Sequence, residues 1–417
     1  MKQIVIVADD LTGACDTGIQ FRKRGLQTRV LVDPGSCEML PSEAFPVYSI
    51  NTDTRSASPA QARRITEELL ERLLQLGDFR YYKKVDSVLR GNIAQELEAF
   101  FTYLKPDFAL IVPAFPKTGR WLRDGQLRIG GTKENPELIV NAIERIASGT
   151  TRKCGCIPLD TVRRGAEAVV QETESLYRQG CTLMVADTWC ECDLEILAEA
   201  AHLLGRRCIC VGSGGLASHL AHKIAPVIQE TGMPPVCDST EGIFAVVVGS
   251  RHPVTVAQVQ RLKQEVPMDT HLLPVADITA ENVEQRVEEI FPPGSQIHSD
   301  VVLLTTDQIY SSSESCTDLL QKNAFNRSIL DGIGMGIKRL VQKTPIRGMI
   351  ATGGDIASEI LRRLRLNHID LIDEPIPGIV IGRAADSSGK GFPLATKSGG
   401  FGDPDAYLTL YRYMTRW

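Results

Sequence analysis

Several signatures that would identify a common class of protein are missing from this sequence of 417 residues. It contains no Gly-x-x-x-x-Gly-Lys-Ser/Thr loop, and no Gly-x-Gly-x-x-Gly follows the first predicted strand, so the two commonest nucleotide-binding loops are excluded. No apolar run reaches the ~18 residues that a membrane helix needs. The N-terminus lacks the basic and apolar regions of a signal peptide. These absences predict a cytoplasmic protein with no membrane partner.

Charge of one sign is not in excess either. The chain has 46 Lys and Arg against 51 Asp and Glu, a formal net charge of -5. No global basic field is available for nucleic acid, so any anion must be bound by a local site. The 11 cysteines are odd in number, and no pair has the two-residue spacer of zinc and redox motifs. We therefore expect reduced thiols and no protein-bound metal.

The sequence does contain a regular alternation of strands and helices. Apolar, β-branched runs at 2–8, 47–50 and 108–112 predict buried strands, while helical periodicity covers 59–76 and 93–104. Such alternation indicates mostly parallel sheets with helices on both faces. Ligands in these folds gather at the carboxyl ends of the strands.

Length and a break in the pattern predict the domain organisation. A chain of 417 residues exceeds the ~100–200 residues of a typical domain. Prolines and glycines interrupt the periodicity between 226 and 242, which is typical of a linker. We expect an α/β fold of two domains, 1–235 and 240–417, each a mostly parallel sheet flanked by helices. The active site is then expected in the interdomain cleft.

Charged residues follow three predicted strands of the first half. The adjacent carboxylates Asp9 and Asp10 need a cation or hydroxyl partners if they are buried. Arg55 can bind a carboxylate through two parallel hydrogen bonds. Lys83 and Lys84 point to opposite faces of one strand, so at most one should reach a site there. The alternatives are a helix cap for the aspartates, a solvated turn for the loop of Arg55 and an internal ion pair for the lysine. The further candidates of this half are Val85, Asp86 and Arg90, with Lys117 and Arg120 in a proline-bounded loop.

Glycine-rich turns dominate the second half. Turns that begin at Gly249 and at Thr352 each follow a strand and precede a helix, and a third glycine-rich loop begins at Lys397. Glycine lets backbone N–H groups approach an anion, and a helix N-terminus adds positive potential, so such turns favour phosphate. Tight strand-to-helix turns also need glycine for steric reasons alone, so each single turn is weak evidence. Together they predict a nucleotide site of an uncommon type.

Taken together, these segments resemble the four-carbon acid sugar kinase family. The resemblance rests on ADDLTGACD at 8–16, NTDTR at 51–55, KKVDSVLRGN at 83–92, PAFPKTGR at 113–120, SGGLA at 213–217, TGGD at 352–355 and TKSGGFG at 396–402. It implies an N-terminal domain that binds the sugar acid and a C-terminal domain that binds ATP. It also implies phosphorylation of D-threonate or D-erythronate at the 4-hydroxyl, with a 3-oxo-tetronate as the alternative substrate.

The resemblance also implies roles for individual residues. Where relatives carry Gly-Gly-Glu-Thr this chain has Gly-Gly-Asp-Ile at 353–356, which leaves the role of the acid there open. The candidates for the catalytic base are Asp10, Asp86 and Asp355. The predicted substrate site comprises Asp9, Asp10, Arg55, Lys83, Lys84, Val85, Asp86 and Arg90, and the predicted nucleotide site comprises Ser250, Arg251, Thr352, Gly353, Gly354, Asp355, Lys397, Ser398, Gly399 and Gly400.

Cofactors and rival functions complete these expectations. Mg²⁺ should arrive on the phosphates of ATP, because it prefers to keep several waters. A dehydrogenase-type enzyme acting on similar acids is disfavoured by the missing dinucleotide loop. A non-catalytic sugar-acid-binding protein would not need several phosphate-binding turns. The oligomeric state stays open, a homo-oligomer being one alternative.

Overall fold

A computed structural model of the protein describes residues 2–40, 44–225, 241–250, 252–276, 278–307 and 319–415, although not the side chains of 319–325. The chain divides into two compact units, Met1–Thr231 and Gly232–Trp417. Within the described ranges, no helix combines the length and the apolarity needed to cross a membrane. The predicted boundary near residue 240 lies outside the described residues.

Among the described residues of the first unit, eight parallel strands form the central sheet. The strands of this unit are β1 (Ile4–Ala8), β2 (Thr28–Leu31), β3 (Val47–Asn51), β4 (Arg80–Lys84), β5 (Phe108–Val112), β6 (Arg120–Arg123), β7 (Gln126–Ile129), β8 (Leu138–Asn141), β9 (Lys153–Ile157), β10 (Cys181–Ala186) and β11 (Cys208–Gly212). The order in the sheet is β2-β3-β1-β4-β11-β5-β10-β9. The short strands β6, β7 and β8 form a separate antiparallel sheet.

Helices cover both faces of this parallel sheet. They are α1 (Leu11–Arg22), α2 (Pro59–Leu76), α3 (Ile93–Leu104), α4 (Ala142–Ala147), α5 (Leu159–Val162), α6 (Ala166–Arg178), α7 (Glu191–Leu204) and α8 (Gly214–Ile224). Side chains alternate across a strand, so Val5 and Val7 belong to the core beneath α2 and α3. Ile4 and Ile6 belong to the opposite core, beneath α7 and α8. The strand β1, at the centre of the sheet, is therefore apolar on both faces.

In the second unit, the residues that the structure describes form a mixed sheet of seven strands. Its strands are β12 (Ile243–Val248), β13 (Asp269–Leu273), β14 (Val301–Thr306), β15 (Ile346–Thr352), β16 (His368–Ile376), β17 (Ile379–Ala385) and β18 (Gly391–Lys397), and its helices are α9 (Pro253–Glu265), α10 (Val283–Ile290), α11 (Leu319–Lys343), α12 (Gly354–Arg363) and α13 (Ala406–Thr415). The strands β13, β14, β12, β15 and β18 are parallel in that order, and β17 and β16 continue the sheet antiparallel.

The predicted fold class is confirmed, because both units are α/β and their sheets are mostly parallel. The sheet of β6, β7 and β8 was not predicted. Its strands have four residues each, too few to establish a period-two pattern. Arg120 is the first residue of this small sheet.

Candidate functional site

The first site lies where three neighbouring strands end. β1 pairs with β3 on one side and β4 on the other, and Ala8 is in register with both Asn51 and Lys84. The carboxyl ends of these parallel strands therefore meet at one edge of the sheet. The strands that follow β1 in the chain lie first on one side of it, as β2 and β3, and then on the other, as β4. Open α/β sheets bind ligands at such a change in strand order. The segments that begin at Asp9, Thr52 and Val85 are brought together there.

Arg55 joins the two adjacent aspartates. Its Nε and Nη2 donate to the Asp9 carboxylate at 3.0 and 2.8 Å, and its Nη1 and Nη2 donate to Asp10 at 2.7 Å each. Because a guanidinium has five N–H donors in a fixed plane, this arrangement leaves at most one for a ligand. Asp9 is 1% exposed, so the cluster is a preformed polar platform at the floor of the site.

The two aspartates have different protonation behaviour. Burial raises the pKa of Asp9, but Arg55 outweighs burial and holds the pKa below its ordinary value. Burial also raises the pKa of Asp10, and there the charge of Asp9 adds to it, so the pKa of Asp10 stays above its ordinary value despite Arg55. One carboxylate is thus a fixed anion, and the other is the more basic of the pair.

Asp10 also caps the helix that follows it. Its Oδ1 accepts a hydrogen bond of 2.9 Å from the backbone N–H of Gly13. The helix-cap alternative for this residue is therefore confirmed, and the same carboxylate also binds Arg55. Capping fixes the carboxylate at the N-terminus of α1, where the backbone also adds positive potential.

Asp86 is a second anchored carboxylate. Arg90 donates to it from Nε at 2.7 Å and from Nη2 at 3.0 Å, and the backbone N–H of Arg90 adds a bond of 3.2 Å. Burial opposes ionisation, but the bonds from Arg90 and the charge of Arg55, 3.8 Å away, lower the pKa of Asp86 well below its usual range. Asp86 is therefore a hydrogen-bond acceptor with little basicity.

Lys84 is the exception in a cluster whose other charges are paired. It is 4% exposed, yet in the part of the chain that the structure describes its ammonium has no hydrogen bond or ion pair. A Cβ placed on Gly13 would lie 2.8 Å from its Nζ and 2.5 Å from Asp10 Oδ1, so the ammonium faces the first turn of α1. A buried cation without a direct partner is expensive unless a ligand supplies one.

Lys83, the other predicted lysine, lies on the opposite face of β4. It is fully buried, its Nζ is 3.0 Å from Glu96 Oε2 on α3, and it donates to the carbonyl of Lys84 at 3.0 Å. Thr54 donates to the other oxygen of Glu96. The side chain of Lys83 thus supports the loop of Arg55 from below. Val85, also predicted, places its side chain in the core.

Two residues after β4 hold the loops together. Gly91 has φ of +92°, and a Cβ there would lie 2.8 Å from Asp9 Oδ2. Glycine is required at this position both for its conformation and for the close approach. The Asn92 side chain donates to the carbonyls of Thr54 and Ala57 at 2.8 and 2.9 Å, which fixes the loop of Arg55 to the start of α3.

Arg120, which the sequence predicted only as a cation of the proline-bounded loop, lies near the charged cluster. It begins β6, and electrostatic interactions connect it with Asp86 and Arg90. Burial lowers its pKa, and its Nε is buried without a hydrogen-bond partner among the described residues. The cationic loop at 113–120 was the available signal. Its other cation, Lys117, instead contacts Glu191 at 3.4 Å.

In the second unit, three parallel strands end side by side. Gly249 after β12 donates to the carbonyl of Thr352 on β15 at 3.3 Å, and Gly353 donates to the carbonyl of Lys397 on β18 at 2.9 Å. A Cβ on Gly399 would lie 2.3 Å from Ser250 Oγ. The glycine-rich turns predicted from the sequence are therefore neighbours, and the absence of side chains permits their contact.

Lys397 lies beneath these turns. It is fully buried, and its Nζ donates to the carbonyls of Ser398 and Gly399 at 3.0 and 2.9 Å. Burial lowers the pKa of Lys397 to about 8. Thr255 Oγ1 also donates to the carbonyl of Gly399, at 2.7 Å. The hydrogen bonds from Lys397 and Thr255 therefore hold the loop at 397–400 around the ammonium of Lys397.

The helix α12 opens directly onto this cluster. Gly353 has φ of +108° and precedes the first turn, which contains Gly354 and the exposed Asp355. Thr352 is buried, and its hydroxyl lies 2.5 Å from the Tyr407 hydroxyl. Free N–H groups at such a helix N-terminus suit a phosphate. Among the other predicted nucleotide contacts, Ser398 and Gly400 lie in the loop after β18, and Arg251 lies outside the described residues.

The arrangement matches known proteins over the whole chain. Residues 4–220 match the family model of a sugar-binding N-terminal domain, and residues 245–407 match that of a nucleotide-binding C-terminal domain. A D-threonate kinase of Bordetella bronchiseptica is 30% identical, with 97% of this chain and 96% of that protein covered. A D-erythronate kinase of Heliobacterium modesticaldum is 26% identical, with 99% and 97% covered.

A third curated relative and two solved structures agree with this match. A 3-oxo-tetronate kinase of Methylobacterium radiotolerans is 27% identical, with 96% of both chains covered. A crystal structure from Salmonella typhimurium LT2 superposes with a TM-score of 0.78 at 24% identity, covering 99% of this chain and 100% of that chain. A Haemophilus influenzae protein gives 0.70 at 22% identity, with 98% and 100% covered. At these identities the two structures show a common fold.

Proposed function

The chain belongs to the four-carbon acid sugar kinase family, whose members transfer phosphate to an alcohol, and we propose that it phosphorylates D-threonate or D-erythronate at the 4-hydroxyl with ATP. The observation that carries this proposal is the buried, unpartnered ammonium of Lys84 beside the Asp9–Asp10–Arg55 platform. Such a site is complementary to a small acid that also carries hydroxyls. The 30% identity to a D-threonate kinase favours D-threonate, and a 3-oxo-tetronate is the alternative.

The two units divide the work. We assign the sugar acid to residues 1–235 and the nucleotide to residues 240–417, because the charged site lies in the first unit and the glycine turns in the second. The family models matched by the two halves carry the same division in their descriptions. A cytoplasmic location, where ATP is available, and a homo-oligomeric state belong to the proposal as predictions.

The substrate carboxylate accepts hydrogen bonds from the cationic side chains whose N–H donors are not all used within the protein. Lys84 supplies its ammonium, Arg55 its one remaining N–H, and Arg120 its unpaired Nε. Charge-assisted bonds of this kind are roughly twice as strong as neutral ones. Lys83 acts from behind the site by fixing Glu96 and the loop of Arg55, so it is a positioning residue.

The acceptor hydroxyl is activated by Asp10. Its raised pKa makes it a better proton acceptor than Asp86, whose pKa is lowered by Arg90 and Arg55 after burial is outweighed. A general base works best when its pKa approaches the operating pH. Asp86 and Arg90 then bind the remaining hydroxyls. Asp355 belongs to the nucleotide site in this assignment.

ATP binds the cluster of glycine turns in the second unit. The backbone N–H groups at Ser250 and at Gly354, the first residue of α12 after the turn at Gly353, contact its phosphates, and the loop 397–400 with Lys397 neutralises their charge. Mg²⁺ is bound through the phosphates of ATP and supplies further neutralisation. Phosphoryl transfer depends mainly on such positioning and charge stabilisation.

The experiment is an ADP-release assay with ATP–Mg²⁺ across D- and L-threonate, D- and L-erythronate and the 3-oxo-tetronates, followed by mapping of the phosphate position. We expect the highest kcat/KM with D-threonate and phosphate on the 4-hydroxyl. Arg120→Gln should raise KM at least about tenfold, the loss of one charged contact. The matched control Lys117→Gln, in the same loop, should not. Absence of ADP release with every acid would overturn the proposal.

A further inference from the structure

A cavity of about 510 Å³ lies in the first unit, at the opposite edge of the parallel sheet from the charged site. Its lining includes Ile4 of β1, Arg80 and Tyr81 of β4, and Cys208 and Ile209 of β11. These residues begin their strands, whereas the charged site follows the ends of β1 and β4. The cavity is therefore separate from the proposed substrate site.

The cavity exists because the neighbouring strands β4 and β11 are not paired at their first residues. The ladder between β4 and β11 begins only at Tyr82 and Cys210. On the far sides of the same strands the pairing is complete, since Ile4 pairs with Arg80 and Cys208 pairs with Phe108. The opening thus lies between the first residues of β4 and β11.

The opening connects both faces of the sheet. Tyr81 and Tyr103 of its wall pack against the core beneath α2 and α3. Phe21 and Tyr82 of its wall belong to the core beneath α7 and α8. Aromatic rings thus line the cavity from two sides, and a flat apolar group would be contacted on both of its faces.

The polar residues of the lining are mostly basic. Asp78 is the single acid among the lining residues, and it already binds Lys2 and, at 2.8 Å, Arg206. Lys223 pairs with Glu199 at 2.6 Å. Within the described part of the chain, the guanidinium of Arg80 has no ion pair or hydrogen bond. The rim of an apolar cavity therefore carries a cation with its donors free.

We propose that this cavity is a second ligand site, which binds a small organic anion with an aromatic body and places the negative charge of that ligand beside Arg80. The volume falls in the range of about 300–1,000 Å³ that is usual for small-molecule sites. The hydroxyl of Tyr81 is buried and has no hydrogen-bond partner among the described residues. It supplies a further polar contact within the wall. The proposal does not depend on the kinase reaction.

Two thiols in the wall provide a reporter of occupancy. Cys208 and Cys210 both line the cavity. A hydrogen bond with Cys208 lowers the pKa of Cys210, and the charge of Arg80 contributes after burial is outweighed. Because Cys210 lines the cavity, a bound ligand should slow its alkylation, which proceeds through the thiolate.

The binding experiment uses naphthoate, and naphthalene methanol as its uncharged analogue. We expect naphthoate to bind with a Kd at least about tenfold lower than the alcohol, and Arg80→Gln to remove that difference. Arg64→Gln is the matched control, because this arginine is also exposed and lies on α2 away from the cavity. D-threonate at saturation should not displace naphthoate.

Alkylation of Cys210 by iodoacetamide gives an independent measurement. Naphthoate should slow the reaction at least about tenfold in the wild type and little in Arg80→Gln, as read by peptide mass spectrometry. Leu220→Trp, which narrows the cavity, should weaken naphthoate binding while Tm shows that the chain stays folded. Equal affinity for naphthoate in the wild type and Arg80→Gln, or competition by D-threonate, would overturn the proposal.

Discussion

Two adjacent lysines at the end of β4 have opposite surroundings. Lys83 contacts Glu96 and two backbone carbonyls inside the protein. Lys84, one residue later, has neither a hydrogen bond nor an ion pair within the described residues. Since successive side chains of a strand point to opposite faces, the same residue type is paired internally on one face and, in our proposal, binds the substrate on the other.

Substitution should separate these two roles. Lys83→Met leaves Glu96 buried without its cation, so we expect a loss of about 3–5 kcal/mol in the free energy of unfolding, measured with urea. Lys84→Met removes a buried charge that makes no direct ion pair and interacts with the nearby carboxylates only at longer range, so we expect a smaller loss of stability than in Lys83→Met. Its kcat/KM for the sugar acid should fall about a hundredfold or more, because a buried carboxylate of the substrate loses its partner.

A double variant tests the cause of the instability. Lys83→Met combined with Glu96→Gln removes both charges, so it should recover a large part of the lost stability. If Lys83→Met were as stable as the wild type and Lys84→Met kept its full kcat/KM, the roles assigned to the two lysines would be wrong.

The choice between Asp10 and Asp86 as the base predicts a pH dependence. A base must be deprotonated, so kcat/KM falls as the pH drops through the pKa of that group. For Asp10 this pKa lies above the ordinary 3.8, and for Asp86 it lies well below. We therefore expect the acidic limb of the kcat/KM profile at a higher pH than an ordinary aspartate would give.

Variants identify the residue responsible for that limb. Asp86→Asn should raise KM and leave the acidic limb in place, whereas Asp10→Asn should reduce kcat by about a hundredfold or more. Retention of near-normal kcat in Asp10→Asn, with an acidic limb at or below pH 3.8, would contradict the assignment.

At the scale of elements, much of the candidate site could be predicted from the sequence. Charged residues directly after buried strands indicated the edge where β1, β3 and β4 end, because carboxyl ends of parallel strands share an edge. The partner of Lys83 could not be predicted, since Glu96 lies on a helix whose rotation about its axis is set by packing. Arg120 was predicted as a cation of the loop at 113–120, but its assignment to the substrate site could not be predicted, because β6 is too short to show periodicity.

The loop after β18 predicts how nucleotide affinity depends on pH. Lys397 is charged below its pKa of about 8 and neutral above it. Phosphate binding favours the charged form, so ATP affinity should be full at pH 7 and should fall as the pH rises through 8 and beyond. The expected decrease between pH 7 and pH 9 is up to about tenfold, measured by calorimetric titration.

A matched pair of variants in the same hairpin tests that dependence. Lys397→Met should bind ATP weakly and with little variation across this pH range. Lys390→Met, at an exposed position between β17 and β18, should keep both the affinity and the pH dependence of the wild type. An unchanged pH profile in Lys397→Met would show that another group is responsible.

At the scale of the whole molecule, the sequence predicted two α/β units with the charged motifs early and the glycine turns late. The structure divides into two compact units, and the main sheet of each unit is mostly parallel. The division into two units could be predicted because each unit is built from one continuous part of the chain, so motifs that are close in the sequence stay in the same unit. Antiparallel additions such as β16 and β17 change the edge of a sheet and leave its central order intact.

This division predicts where each ligand protects the backbone from hydrogen exchange. D-threonate should slow exchange at 9–14, 52–56 and 84–91, since those segments form the charged site. ATP should slow it at 249–250, 353–357 and 397–402, since those segments form the turns proposed to bind its phosphates. In Asp10→Asn the protection by D-threonate should be lost while the protection by ATP persists. Protection of the first unit by ATP alone, with the glycine turns unchanged, would mean that the nucleotide binds among the carboxylates and that the two units have been assigned the wrong ligands.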